Sequence, residues 1–179
     1  MEEKEFILQL ISPETQNEAF KKLVFEYQKP LYNLIRTIVL NHDDTDDVLQ
    51  NTFIKVHLNL TKFKGESKLF TWMYRIATNE ALSFISSKAR RSGTTSEAMQ
   101  SKIVANLVSD TYFDGDVIQI KLQSAIAILP MKQQLVFKMK YFEELKYEEM
   151  SVILNTSVGA LKASYHHAVK KIELYMTKD

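Results

Sequence analysis

Three groups of residues carry side chains that could do chemistry. The first is a run of carboxylates, Asp43, Asp44, Asp46 and Asp47. Carboxylates this dense can hold a divalent cation, offset a helix dipole or face a basic partner. A metal-dependent nuclease would need them to converge on one ion. At a single helix start they diverge, and no matching acidic cluster occurs elsewhere, so no catalytic residue and no enzyme is expected. The second group is His166-His167, the only adjacent histidine pair. Neighbours on a helix point about 100° apart, and a metal site needs further ligands, so no metal is expected there either. The third group interleaves cations and aromatics: Lys62, Phe63, Lys64, Lys68, Phe70, Trp72, Tyr74 and Arg75. A cationic surface with flat rings is what unpaired nucleic-acid bases stack on.

Charge distribution favours that last chemistry. The chain has a formal net charge of +1, which hides local imbalance. Residues 55–91 hold Lys55, Lys62, Lys64, Lys68, Arg75, Lys88, Arg90 and Arg91 against only Glu66 and Glu80. A polyanion partner fits this segment, and so does a solvated helix face. No cysteine is present, which excludes disulfides, thiolate metal sites and a Cys nucleophile and fits a reducing cytoplasm. The start, MEEKEFILQLIS, does not read as a secretory leader, and no apolar run reaches the length of a membrane helix.

The elements that must position these residues read as helices. Only 4 Gly and 3 Pro occur, too few for a chain of hairpins. Ser12-Pro13-Glu14 reads as a helix start, with apolar residues following at helical spacing to Val39 and Pro30 predicting a kink or break. Asp44 is expected to cap a second helix whose apolar face is Val48, Leu49, Thr52, Phe53, Val56 and Leu60. A loop around Gly65 leads to a third helix, capped by Ser67 and running to about Ser87. From Lys88 the composition turns small, polar and aperiodic, so residues 92–115 are expected to be a linker. Four short helices follow: Val117–Leu129, Met131–Phe142, Tyr147–Leu154 and Ser157–Met176. Asn155 can end one helix in the left-handed conformation, and Thr156 or Ser157 can cap the next. That pair is a helix-turn-helix candidate, and an ordinary helical hairpin would look the same. The fold class expected is all-α: two small helical domains, 1–91 and 116–179, joined by a flexible linker.

Two blocks resemble a known family. One carries D-x-x-D-x-x-Q-x-x-F at Asp44, Asp47, Gln50 and Phe53, then F-x-G at Phe63 and Gly65, then T-W-x-Y-R-I-A-x-N from Thr71 to Asn79. The other carries Leu129-Pro130, Gln133, Tyr141-Phe142, Tyr147-Glu148-Glu149, Leu154 and Ser157-Val158-Gly159 with Lys162. In this order and separation they resemble the extracytoplasmic-function sigma factors of bacterial RNA polymerase. Residues 92–116 are too few and too polar for a further core, so the resemblance is to the short, two-domain branch.

The resemblance implies partners and site residues. Core RNA polymerase would be held through Asp44, Asp47, Gln50, Asn51, Phe53 and Ile54 on the clamp helices of its largest subunit, with a second contact at the flap region. The family usually has Glu where Asn51 stands. Promoter DNA would be opened at the minus-ten element by Lys64, Gly65, Glu66, Ser67, Lys68, Phe70, Trp72, Tyr74, Arg75 and Asn79, with Arg90 and Arg91 on phosphates. The minus-thirty-five element would be read in the major groove by Ser157, Val158, Lys162, Ala163, His166, His167 and Lys170. No cofactor is implied. Whether an anti-sigma factor restrains the chain stays open. The competing reading is a stand-alone helix-turn-helix regulator, which would have no use for the Gln50 face or the Lys64–Leu69 loop.

Overall fold

The computed structural model describes residues 3–105 and 116–177, and among them every regular element is helical. The first unit is α1 (Glu3–Ile11), α2 (Gln16–Val39), α3 (His42–Asn59), a 3-10 turn at Leu60–Lys62 and α4 (Leu69–Arg91). Helices α2, α3 and α4 pack on one another, and α1 lies against α2. The sequence builds this core by periodicity. Leu69, Met73, Ala77, Ala81 and Ile85 recur every fourth residue on α4, and all are buried. They face Leu23, Leu31, Leu34, Ile35 and Ile38 of α2 and Val48, Thr52 and Val56 of α3, which are also buried.

Three expectations about helix ends are corrected, and one about continuity is narrowed. The Ser12-Pro13-Glu14 segment is a turn, and α2 begins at Gln16. The Ser12 carbonyl accepts from the amides of Thr15 and Gln16, so it closes the turn after α1 instead of opening the next helix. Pro30 lies inside α2 without breaking it. The Pro30 carbonyl accepts a 3.3 Å hydrogen bond from the Tyr74 hydroxyl. The cap of α3 is Asn41, whose side chain accepts from the Asp44 amide at 2.9 Å. Asp44 sits in the first turn and its carboxylate pairs with Lys88 of α4. At α4 the cap position falls on Lys68, which offers no acceptor. The orphan Leu69 amide donates instead to Glu3 of α1, at 2.6 Å.

The second unit contains α6 (Val117–Ala127), α7 (Met131–Tyr141), α8 (Tyr147–Leu154) and α9 (Val158–Met176). Its boundaries follow the sequence closely. Asn155 adopts φ 48° and ψ 50°, the left-handed conformation an Asn tolerates, and ends α8. Ser157 caps α9 by accepting from the Ala160 amide at 3.3 Å.

The intervening stretch differs from a structureless tether. Residues Ser96–Ala105 form α5, which packs on α4 and α6. Met99, Gln100 and Val104 are buried, and the Gln100 side-chain amide donates to the Ile38 carbonyl at 2.9 Å. Three buried positions are too few to show as periodicity among polar neighbours. Of the apolar residues in this stretch, Val104 packs with Leu40 and Ala127 and Ile103 lies against them, while Leu107, Tyr112 and Phe113 lie outside the described residues.

Candidate nucleic-acid interface

Helical spacing sets one wall of a groove on the first unit. Trp72, Arg75, Ile76, Asn79, Glu80 and Ser83 lie on one side of α4, and Lys55, Asn59 and Lys62 face them from α3 and the 3-10 turn. The groove encloses about 530 Å³. Arg75 and Asn79 are exposed, and Trp72 is half-buried with its ring 5.1 Å from that of Phe63. Lys55 donates to Glu80, so one carboxylate is neutralised and the groove keeps an excess of cations. Lys55 and Asn59 are absent from the residues picked out by motif. The 4-and-3 spacing of Lys55, Asn59 and Lys62 puts them on one helical side and could have found them.

The loop before α4 is open to solvent. Lys64, Gly65, Glu66 and Lys68 are exposed, and Ser67 is half-buried. Gly65 sits at φ +71°, where a side chain would be strained although the space is free. Phe70 and Tyr74 do not join the groove wall. Their rings lie 4.0 Å apart on the opposite side of α4, and Tyr74 is only 3% exposed, so burial raises its hydroxyl pKa. At the end of α4, Arg90 and Arg91 are exposed, while Lys88 is committed to Asp44.

A second face lies on α3. Asp47, Gln50, Asn51 and Ile54 share one exposed stripe, with Phe53 half-buried beside it. Asp44 stands apart from them, turned to Lys88. An apolar groove of about 340 Å³ runs along the stripe, lined by Phe20, Val24, Gln50, Phe53, Ile54, His57 and Leu58. Ile54 is 52% and Leu58 67% exposed, so this surface offers a partner both apolar and carboxylate contacts.

On the second unit, Lys162, Ala163, His166, His167 and Lys170 form an exposed stripe along α9, with Ser157 exposed and Val158 half-buried at its start. The Lys162 ammonium lies 5.7 Å from the centre of the Tyr147 ring, which restrains it over α8. The His166 and His167 rings sit 6.0 Å apart and tilted. Among the described residues no group of three His, Asp or Glu could hold a metal ion.

Fold and faces together are those of an all-helical protein of the helix-turn-helix class. Comparison with known proteins makes this specific. Residues 23–91 match the model of sigma-70 region 2, and residues 119–172 match sigma-70 region 4. The chain is 33% identical over 160 residues to the ECF RNA polymerase sigma factor SigW of Bacillus subtilis, covering 83% of this chain and 84% of that one. It is 28% identical to the ECF RNA polymerase sigma-E factor of Haemophilus influenzae, over 87% and 86% of the two chains. Two solved structures share the fold at 18% identity. One is CnrH in complex with the cytosolic domain of CnrY, with a TM-score of 0.69 over 96% of this chain and 95% of that one. The other is the sigma factor RpoE with the anti-sigma factor NepR from Bartonella quintana, with a TM-score of 0.66 over 89% and 98%. The chain belongs to the extracytoplasmic-function sigma factors, and its function is that of a promoter-recognising sigma factor.

Proposed function

We propose that this sigma factor divides its work among three faces, with domains at 1–91 and 116–179 and no enzymatic activity of its own. The Asp47-Gln50-Asn51-Ile54 stripe and its apolar groove attach to core RNA polymerase. The groove between α3 and α4, with the Lys64–Leu69 loop, captures bases at the minus-ten element, and α9 docks in the major groove at the minus-thirty-five element. The observation that carries this reading is the groove. It sets Trp72, Arg75 and Asn79 opposite Lys55 and Lys62, so a ring, a base-edge reader and phosphate partners line one channel. A stand-alone regulator would need neither this channel nor the α3 stripe. Among the described residues no helix is long and apolar enough to cross a membrane, and we place the protein in the cytoplasm, where the polymerase is. The likeness to chains solved with CnrY and NepR makes an anti-sigma factor a candidate partner.

Transcription in vitro with purified core polymerase, with and without this chain, tests the reading. Promoter-directed transcripts should appear only when the chain is added. A first variant isolates attachment. Asp47→Lys with Gln50→Ala should weaken core binding at least tenfold in a fluorescence titration while the helical circular dichroism stays unchanged. Unchanged affinity would remove the α3 stripe from the attachment surface.

A second expectation concerns α9. No arginine follows Arg91, so the second unit lacks the side chain that grips guanine bidentately and phosphate firmly. Duplex binding by the free protein should therefore be weak and shallow in its salt dependence, with occupancy supplied by tethering to polymerase. Lys162→Ala should cost on the order of 1–3 kcal/mol in holoenzyme binding, confined to one base-pair position of the minus-thirty-five element. An equal loss on every sequence would reassign Lys162 to a phosphate.

A further inference from the structure

We propose that the cleft between the two units is a binding site for a small adenosine phosphate. Leu135, Val136 and Ile153 of the second unit share one buried cluster with Leu31, Tyr74 and Ala77 of the first, and α8 lies along α4. Part of this seam stays open. It leaves a cleft of about 580 Å³, walled by α4 on one side and by the start of α7 and the Asn155-Thr156 turn on the other. Sites for small molecules commonly measure about 300–1,000 Å³. The cleft is distinct from the groove between α3 and α4, with which it shares only Arg75 and Asn79.

The walls carry the chemistry of an anion site. Arg75 enters from α4 and Lys132 from α7, and among the described residues no carboxylate lines the cleft. Neither cation has an ion-pair or hydrogen-bond partner among the described residues. Like charges brought to one cleft repel, and a bound anion removes that cost. A guanidinium meets phosphate bidentately, and an ammonium adds a point charge. The side chains of Asn79, Asn155 and Ser164 also line the cleft and make no hydrogen bond among the described residues. A carboxamide of this kind pairs with adenine at N6 and N7. Leu82, Leu135 and Leu161 supply the apolar wall that the flat face of a base needs. Two cations, free carboxamides and an apolar wall in a space of this size fit one nucleotide and not a strand. Arg75 and Asn79 are also assigned to base capture, so a bound nucleotide and an unpaired promoter base would exclude each other. That consequence rests on the base-capture reading; the binding itself does not.

Calorimetric titration of the full chain tests the site, with ADP, adenosine, inorganic phosphate and a short single-stranded adenine oligonucleotide as probes. ADP should bind with a Kd of about 10–100 µM, and adenosine and phosphate each at least about tenfold more weakly. Lys132→Glu on α7 and Ser86→Glu on α4 place a carboxylate on either wall. Both positions are exposed and lie outside the faces assigned to polymerase and DNA. Each substitution should weaken ADP at least about tenfold while helical circular dichroism stays unchanged, because only a ligand lying between the units meets both walls. No binding of ADP at about 1 mM overturns the proposal. So does parental affinity in either variant, or inorganic phosphate binding as tightly as ADP. An oligonucleotide held more tightly than ADP assigns the cleft to strand capture and overturns it as well. No arm contains polymerase or promoter, so a failure of the base-capture reading would leave these results unchanged.

Discussion

Arg75→Ala combined with Asn79→Ala should reduce promoter opening by about 30- to 100-fold while leaving core binding within about twofold of the parent. Both side chains are exposed on the α4 wall of the cationic groove, and neither is needed by the core. Each base or phosphate contact of this kind is worth about 1–3 kcal/mol, and about 1.4 kcal/mol is a factor of ten. Extruding a base costs a few kcal/mol that must be returned by stacking and edge contacts. Removing two such contacts should leave the duplex closed. Permanganate reactivity of unpaired thymines reads the result. The defect should be large on an intact duplex and small on a template already melted around the start site. An equal defect on both templates, with core affinity preserved, would sink the assignment of this groove to melting.

Lys138→Met should stabilise the protein, and the gain should depend on pH. Lys138 lies in α7 at 2% exposure, and burial alone lowers its pKa to about 7 from the ordinary 10.5. The folded state therefore binds fewer protons than the unfolded state between about pH 7 and 10.5. Over that window the group adds stability as pH rises. Below about pH 7 the ammonium is charged in both states, and its full desolvation penalty is carried by the fold. Methionine has similar length and no charge, so it removes the penalty and the pH slope together. At pH 6 the expected gain is on the order of 2–4 kcal/mol, a rise of roughly 5–10 °C in Tm. At pH 9 to 10 most of the gain should vanish. Thermal melts of both chains across this range test it. A destabilised variant, or an equal gain at every pH, would show that Lys138 reaches solvent or a partner through local opening.

Both sites lie on helices whose existence was legible from residue spacing. The Thr71–Asn79 motif fixes its own geometry, because 3.6 residues per turn place Trp72, Arg75 and Asn79 on one side whatever surrounds them. Asn155 and Ser157 likewise act within their own turn, and both ends they form match the structure. The periodic apolar stripes of α2 and α4 similarly dictated which sides would be buried.

What the sequence could not specify are the partners that chain folding brings from far away. Asp44 reads as a cap by position, but Asn41 takes that role and frees the carboxylate for Lys88, 44 residues on. The amide that Ser67 seemed placed to satisfy is met by Glu3, 66 residues earlier. Helix α5 is held by distant surfaces, with Gln100 bonded to Ile38 of α2 and Val104 packed on Leu40 and Ala127, and not by any repeat among its own residues. Tyr74 is an aromatic in a motif by sequence; only the seating of the second unit and the Pro30 carbonyl it reaches from 44 residues away make it interior. Local hydrogen bonds and helical period depend on neighbours within about four residues, so sequence alone determined the helices and the sides they present. Burial, long-range capping and the closed packing of the two units depend on which surfaces meet, and only the tertiary structure decided those.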